Sequence, residues 1–181
     1  SDAIQKLVPR ALWWFRWGAM ATVLTGLAIL GIRGGTGSLD IYIGALLGVL
    51  MFANVWLVIW PNQKIVIASA TQAAHGGQAL PEAAEALATA GLASRTNAMF
   101  SVPMLYFMGA STHFPHGFNF FAFLVAAIII LALEYNGAYN ALKNIGALSK
   151  LPPGGKMGPC ATVKGVIHCG LGLTVVLFLV V

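Results

Sequence analysis

Long runs of apolar residues alternate with short polar or glycine- and proline-rich segments along most of the chain. About 20 consecutive, mostly apolar residues are enough for a helix to cross the hydrocarbon core of a membrane. The runs predict five membrane-spanning helices, at residues 12–32, 39–60, 96–111, 118–133 and 161–181. We therefore predict an all-α membrane protein, a bundle of about five transmembrane helices that forms one domain over residues 1–181.

Turn-forming and interfacial residues indicate where these helices end. Tryptophans and arginines form an interfacial anchor at the start of the first run, namely Trp13, Trp14, Trp17, Arg10 and Arg16. We expect Gly31–Ser38 to form a turn, Pro61 to end the second helix, and Pro103 to kink the third. We also expect the fourth helix to continue as a more polar helix through Lys143.

Two longer connections separate the predicted spans. Residues 78–91 predict a short helix of their own, with Pro81 near its start and Gly91 at its end. The preceding segment His75–Gly77 is expected to be a loop, and Leu151–Pro159 is rich in turn-forming residues. Both connections are expected to lie outside the membrane.

The composition agrees with a membrane protein and excludes a soluble enzyme of ordinary composition. Hydrophobic residues make up 59% of the chain and charged residues 8%, with a mean hydropathy of +0.83. Soluble domains carry about 25% charged residues. The net charge is +5, but the basic residues lie beside the apolar runs rather than in one patch, so we expect contacts with lipid and none with nucleic acid.

The basic residues also orient the predicted helices. With five spans and the N-terminus inside, only Arg33 of the ten Lys and Arg residues falls on the outer side. Positively charged residues concentrate on the cytoplasmic side of membrane proteins. We therefore predict a multi-pass protein of the bacterial inner (cytoplasmic) membrane, with its N-terminus inside.

Small residues recur at intervals of four on the first two predicted helices. They are Gly18, Thr22 and Gly26 on the first helix, and Gly44 and Gly48 on the second. Such faces let helix backbones approach closely. We expect them to pack within the bundle, and a dimer face is the alternative.

Three histidines are candidates for binding a metal or a cofactor. His113 and His116 flank a tight outer turn, where two imidazoles can converge on a metal ion, although zinc and copper sites use three or four ligands. His113 and His168 lie toward opposite faces of the membrane, so they cannot share one haem. A haem or pigment contributed by a partner chain is compatible with either residue. Interfacial anchoring and helix packing are the alternatives.

Glu134 is an acidic residue near the inner end of the fourth predicted span. Ionisable groups inside membranes are expensive to bury and are functional candidates by default. We expect Glu134 to form an interfacial ion pair with Arg95 or Lys143, and a proton or quinone site is the alternative.

Two segments resemble a known family. The segment Asn54–Lys64 reads Asn-Val-Trp-Leu-Val-Ile-Trp-Pro-Asn-Gln-Lys, and Ser94–Met108 reads Ser-Arg-Thr-Asn-Ala-Met-Phe-Ser-Val-Pro-Met-Leu-Tyr-Phe-Met. Together with Trp17–Gly18, they resemble the membrane domain of bacterial cytochrome-linked urate hydroxylases, the urate oxidase N-terminal family. The likeness covers residues 10–135, approximately.

Both segments are expected at the inner edge of the membrane, where they lock the second and third helices together. The residues with these roles are Asn54, Trp56, Trp60, Pro61, Lys64, Arg95 and Asn97. Tryptophan suits the interface, and the amides can satisfy polar groups at helix ends. The two basic residues are expected to reach lipid phosphates or the acids of the inner connection.

The enzymes of this family carry a c-type cytochrome domain after the membrane part, with a Cys-x-x-Cys-His sequence that attaches haem. The printed sequence lacks this motif, so we predict no covalent c-type haem on it. Cys160 and Cys169 are too few for a disulfide framework, and on one helix they would lie about 13 Å apart.

These observations lead to two functional hypotheses. The first is an accessory or structural membrane subunit of a larger redox complex of respiratory, oxidase or photosynthetic type, which binds other membrane subunits and obtains its cofactors from them. The second is the membrane part of a urate-hydroxylase-like oxidoreductase that passes electrons to a separate cytochrome c. A channel or transporter is disfavoured because no internal repeat is visible.

Overall fold

The prediction of an all-α fold is confirmed. A computed structural model describes residues 7–32, 34, 37–143 and 145–181, and these residues form helices and connecting turns without a strand. The long helices are α1 (Val8–Ile32), α2 (Leu39–Ala74), α3 (Ala83–His113), α4 (Phe120–Gly137) and α5 (Val163–Val180). Shorter helical turns are Tyr139–Leu142, Gly146–Lys150 and Gly158–Ala161. Lys6, Arg33 and two residues of the first predicted turn, Gly35 and Thr36, lie outside the described residues.

Four of the long helices, α1, α2, α4 and α5, are long and apolar enough to cross a membrane. The predicted span at residues 96–111 lies within α3, which is not among these four in the described part of the chain. Helix α3 is the central helix, with its largest contacts to α2 and α5. A helix surrounded by protein needs less apolar surface than one that faces lipid. The five-span topology with the N-terminus inside stays a prediction.

The expectation that Pro61 ends the second helix was wrong, because α2 continues to Ala74. Proline lacks the N–H group that would bond to the carbonyl four residues earlier in an α-helix. Residues Asn54–Ile59, which end two residues before Pro61, form a π-helix, and at its end the Trp60 N–H donates to the Val55 carbonyl, five residues back. This wider turn lets the helix continue past the proline, and π-helical segments of this kind often occur at functional sites.

The short helix predicted at residues 78–91 and the span predicted at 96–111 are parts of one helix, α3. Gly91 does not end it, so that boundary was also wrong. A glycine inside a helix costs about 1 kcal/mol relative to alanine. The turns around Gly91 are held by buried small side chains, including Ala86, Ala90 and Ala93, and their packing offsets that cost.

The other predicted boundaries agree more closely with the structure. Helix α4 ends at Gly137 and a separate turn follows, so the expected continuous helix through Lys143 is interrupted at Ala138. A Cβ atom on Gly137 would collide with the side chain of Thr96, which shows how closely α4 approaches α3. The connector after α4 is irregular as predicted, and Asn136 holds it through two hydrogen bonds to the Lys156 backbone.

Helix α3 also forms the centre of the hydrophobic core. Phe100 and Phe107 are fully buried on it, and they pack with residues of α2, α4 and α5, namely Leu39, Ile43, Leu47, Ile130 and Leu177. Helix α1 differs sharply, since none of its 25 residues is buried. The core is therefore built by α2 to α5, with α1 added at its edge.

The small residues of α1 and α2 behave differently from each other. Gly44 packs closely against α3, since a Cβ atom added to Gly44 would lie only 3.2 Å from the Met108 side chain. Gly18 and Gly26 of α1 have nothing within 4 Å of that position. The expectation of close packing within the bundle is therefore confirmed at Gly44 and wrong for these two α1 glycines.

The ends of four helices meet on one side of the bundle. The Leu39 N–H at the start of α2 donates to the His116 carbonyl, in the turn between α3 and α4, over 3.1 Å. The ring of Phe178, near the end of α5, lies 6.2 Å from the His116 ring. This end of the bundle therefore gives a common origin for comparing depth along α2, α3 and α4.

Candidate functional site

Three polar side chains from three helices meet inside the bundle. The Asn54 amide nitrogen donates to Asn97 Oδ1 over 2.9 Å and to Glu134 Oε2 over 3.0 Å. The residues are almost completely buried, with 1%, 7% and 8% of their surfaces exposed in that order. We call Asn54, Asn97 and Glu134 the polar cluster.

The polar cluster lies at one depth in the bundle. Each member is 14 to 16 residues from the helix end near His116, counting from Leu39, His113 or Phe120. At a rise of 1.5 Å per residue, these separations are about 21–24 Å. Since a hydrocarbon core is about 30 Å thick, the cluster lies more than half of that thickness away from the end that contains His116.

The π-helix of α2 helps to place the cluster. Asn54 is its first residue, and the Asn97 amide nitrogen donates to the Met51 carbonyl over 2.9 Å, just before that segment begins. The backbone hydrogen bonding of α2 changes from α-helical to π-helical at this point, and the Asn97 side chain of α3 supplies a donor there. The predicted link between the two motif segments is therefore present, but it joins helix interiors rather than helix ends.

The cluster retains capacity to bind a polar ligand. Both N–H groups of the Asn54 amide are used. A carboxylate such as Glu134 can accept about four hydrogen bonds, and a side-chain amide such as Asn97 can form about four in all. Asn97 also lines a cavity of about 680 Å³ between α1, α2 and α3. The arrangement can therefore accept and donate hydrogen bonds, and the carboxyl group can exchange a proton.

The structure replaces the expected ion pair of Glu134 with the bond to Asn54. Lys143 pairs instead with Glu85, at 3.2 Å on the surface. Arg95 is half-buried and lies near Cys160, where its charge lowers the pKa of that thiol against the stronger raising effects of burial and of Cys169. The two cysteines lie on separate elements, so the expectation of wide separation along one helix does not apply.

The motif tryptophans surround an arginine of α1. The Arg16 guanidinium lies 4.1 Å from the Trp60 ring and 4.9 Å from the Trp56 ring, both within the range of cation–π attraction. The Lys64 ammonium group also lies 5.7 Å from the centre of the Trp60 ring. These contacts attach α1 to α2, and they were not anticipated from the motif segments alone.

The candidate histidines do not form a shared site in the described residues. His113 and His168 are exposed, and the ring of His168 bonds to the Lys164 carbonyl of its own helix. His116 Nδ1 lies 3.0 Å from Asp40 Oδ1, and the His116 N–H donates to the other carboxylate oxygen. Among the described residues, no group of three metal-ligating side chains is present.

Sequence reasoning missed Asp40, which is fully buried in the first turn of α2. Its carboxylate fixes the turn between α3 and α4 by binding His116. An acidic residue just inside an apolar run was the signal that could have identified it, since a charge there needs a partner.

Comparison with known proteins assigns the chain to a family. The family model described as urate oxidase N-terminal matches residues 35–152, well over half of the chain. No curated protein and no solved structure matches the chain. The match runs from just before α2 to beyond α4, so it includes the whole polar cluster. The chain therefore belongs to the urate oxidase N-terminal family.

Proposed function

We propose that the chain is the membrane part of a urate-hydroxylase-like oxidoreductase that passes electrons to a separate cytochrome c. The observation that carries the proposal is the polar cluster. Two of its members, Asn54 and Asn97, come from the two segments that resemble the family, and Asn54 donates to both Asn97 and the Glu134 carboxylate inside the bundle.

The chemistry of the cluster suits a purine substrate. Urate presents alternating N–H donors and carbonyl acceptors, and side-chain amides offer a donor and an acceptor side by side. Hydroxylation of a carbon with water as the oxygen source forms a C–O bond and releases two protons and two electrons. A carboxylate such as Glu134 can take one proton as a general base, and the electrons require an external acceptor, here cytochrome c.

Membranes containing the protein test this proposal. Addition of urate is expected to reduce added cytochrome c, and Asn97→Ala, which removes a member of the polar cluster, is expected to abolish the signal. Asn62→Ala is the control, since Asn62 bonds only to the Val58 carbonyl of its own helix among the described contacts. Absence of a urate-dependent signal in membranes with the unaltered protein would dispose of the enzymatic proposal.

A second candidate function is that of an accessory subunit in a larger inner-membrane redox complex. It is favoured by the mutual hydrogen bonding of the polar cluster, since buried side chains that bond to one another can serve packing alone. The exposed His113 and His168 would then be contacts to cofactors of partner chains.

The native mass of the protein in mild detergent distinguishes these candidates. An accessory subunit migrates in fixed stoichiometry with cytochromes, oxidase chains or pigment proteins. A protein that migrates at its chain mass of 19.0 kDa, or a small multiple of it, plus bound detergent, contradicts the accessory role.

A further inference from the structure

A long apolar cavity lies between α1, α2 and α3. Its volume is about 680 Å³, within the range of ligand-binding cavities. Trp14 and Ile59 lie toward one end, Leu30 and Ile41 toward the other. Its lining is almost entirely apolar, so we call it the α1 groove.

The α1 groove is longer than one leaflet is thick, so it is long enough to hold a lipid acyl chain. Trp14 and Leu30 are 16 residues apart on α1, which corresponds to about 24 Å along the helix axis. One leaflet of a hydrocarbon core is about 15 Å thick, half of about 30 Å. Gly18 and Gly26 keep the groove wide, since a Cβ atom at either residue would meet nothing within 4 Å.

Two hydrogen-bond donors without partners lie beside one end of this groove. In the described part of the structure, Arg16 Nε and Trp56 Nε1 are buried and have no acceptor. Their sequence neighbours Phe15 and Val55 line the groove. Buried donors in proteins are almost always paired, so an acceptor from another molecule is expected at this position.

The charge of this position selects an anion. Arg16 is permanently positive. It lies over the rings of Trp17, Trp56 and Trp60, and the ion pairs seen among the described residues do not include it. Arg16 lies eight residues, about 12 Å, from the start of α1 at Val8. It lies among Trp13, Trp14 and Trp17, and tryptophan is typical of the membrane interface, where lipid phosphates lie.

We propose that the α1 groove binds one anionic phospholipid, whose phosphate accepts hydrogen bonds from Arg16 and Trp56 while one acyl chain fills the groove. The lipid supplies the charge and the acceptors that this end of the groove lacks. It also covers the face of α1 that the protein leaves open. The α1 groove is the cavity that Asn97 lines, so a bound acyl chain would occupy the space beside the polar cluster. The observations behind this inference are separate from those behind the proposed urate chemistry.

Lipid retention by the purified protein tests the proposal. The protein is extracted from its own membranes in mild detergent, and bound lipid is quantified by organic phosphorus and identified by mass spectrometry. We expect an anionic phospholipid at about one per chain in the unaltered protein. Arg16→Gln is expected to lower retention about fivefold, from the contribution of one basic residue to binding an anionic lipid surface.

Three further variants separate a lipid site from loss of folding. Arg10→Gln is the matched control, because Arg10 is exposed on the same helix, and retention is expected to stay unchanged. Arg16→Lys keeps the charge and should retain more lipid than Arg16→Gln. Gly26 lines the groove, and a Cβ atom there meets nothing within 4 Å, so Gly26→Leu should fill part of the groove and expel the acyl chain.

Several results would overturn the proposal. Equal retention by Arg16→Gln and Arg10→Gln excludes a role for the Arg16 charge, and unchanged retention by Gly26→Leu excludes the groove. A neutral isoprenoid quinone recovered in place of phospholipid would assign the groove to a different ligand. A dimer that Gly26→Leu dissociates, with no lipid bound, would assign it to a second copy of the chain.

Discussion

Helices α1 and α3 show two ways in which this sequence places a helix. Helix α1 is uniformly apolar and has no buried residue, whereas α3 is less apolar and carries Phe100, Phe107 and a member of the polar cluster in the interior. The family match begins at residue 35, after α1 ends. The comparison indicates that α2 to α4 form the part that holds the candidate chemistry, and that α1 is an attached helix facing lipid.

The largest difference in protein stability is expected between variants that remove a large aromatic side chain from each of the two helices. Phe100→Ala leaves a cavity in the core and is expected to cost about 3–5 kcal/mol, since Phe100 is fully buried. Phe15→Ala on α1 removes the same atoms from a side chain that is 54% exposed, and a change within about 0.5 kcal/mol is expected. Thermal unfolding in one detergent measures both. Equal losses would contradict a peripheral α1.

The polar cluster gives the next largest contrast, this time between two asparagines of α2. Asn54→Ala leaves Asn97 and Glu134 without their shared donor, at an expected cost of about 1–3 kcal/mol. Asn62→Ala removes one bond within a helix turn and should cost under about 1 kcal/mol. Chemical unfolding of the two variants provides the comparison. A larger loss for Asn62→Ala would mean that the cluster does not stabilise the bundle.

Two glycine variants compare how closely α4 and α1 contact their neighbouring helices, and they are expected to change protein stability least. Gly137→Ala places a Cβ atom against Thr96 between α4 and α3, and a loss of about 1 kcal/mol is expected, near the lower limit for overpacking. Gly18→Ala on α1 meets open space and should not destabilise the protein. The double variant Gly137→Ala, Thr96→Ala should recover much of the loss in thermal stability. No recovery would place the strain elsewhere.

The fold class followed from the sequence because apolar runs of membrane-spanning length are a strong signal. Helix boundaries at Pro61 and Gly91 did not, because local propensity was overridden by structure that the sequence pattern does not reveal. A π-helix carries α2 past Pro61, and packing of small buried side chains carries α3 through Gly91. In both cases a residue that commonly ends helices lies inside one.

The contacts of the polar cluster were predicted only in part. Asn54 and Asn97 were expected to link the second and third helices, whereas Glu134 was expected to pair with a basic residue. Only the alignment of three helices at one depth brings this carboxylate to Asn54. The partner of His116, Asp40, was missed for the same reason, since the two residues are 76 positions apart in the chain.

The most direct test of the proposed chemistry compares two Glu→Gln variants in a urate-dependent assay. Glu134→Gln keeps a hydrogen-bond acceptor for Asn54 but removes the carboxylate, whereas Glu85→Gln alters a glutamate that is 70% exposed. Cytochrome c reduction by membranes with matched protein content is the readout. We expect Glu134→Gln to lower the rate by about a hundredfold, a typical loss for a general base, with Glu85→Gln unchanged. Equal rates in the two variants would contradict a catalytic role for the polar cluster.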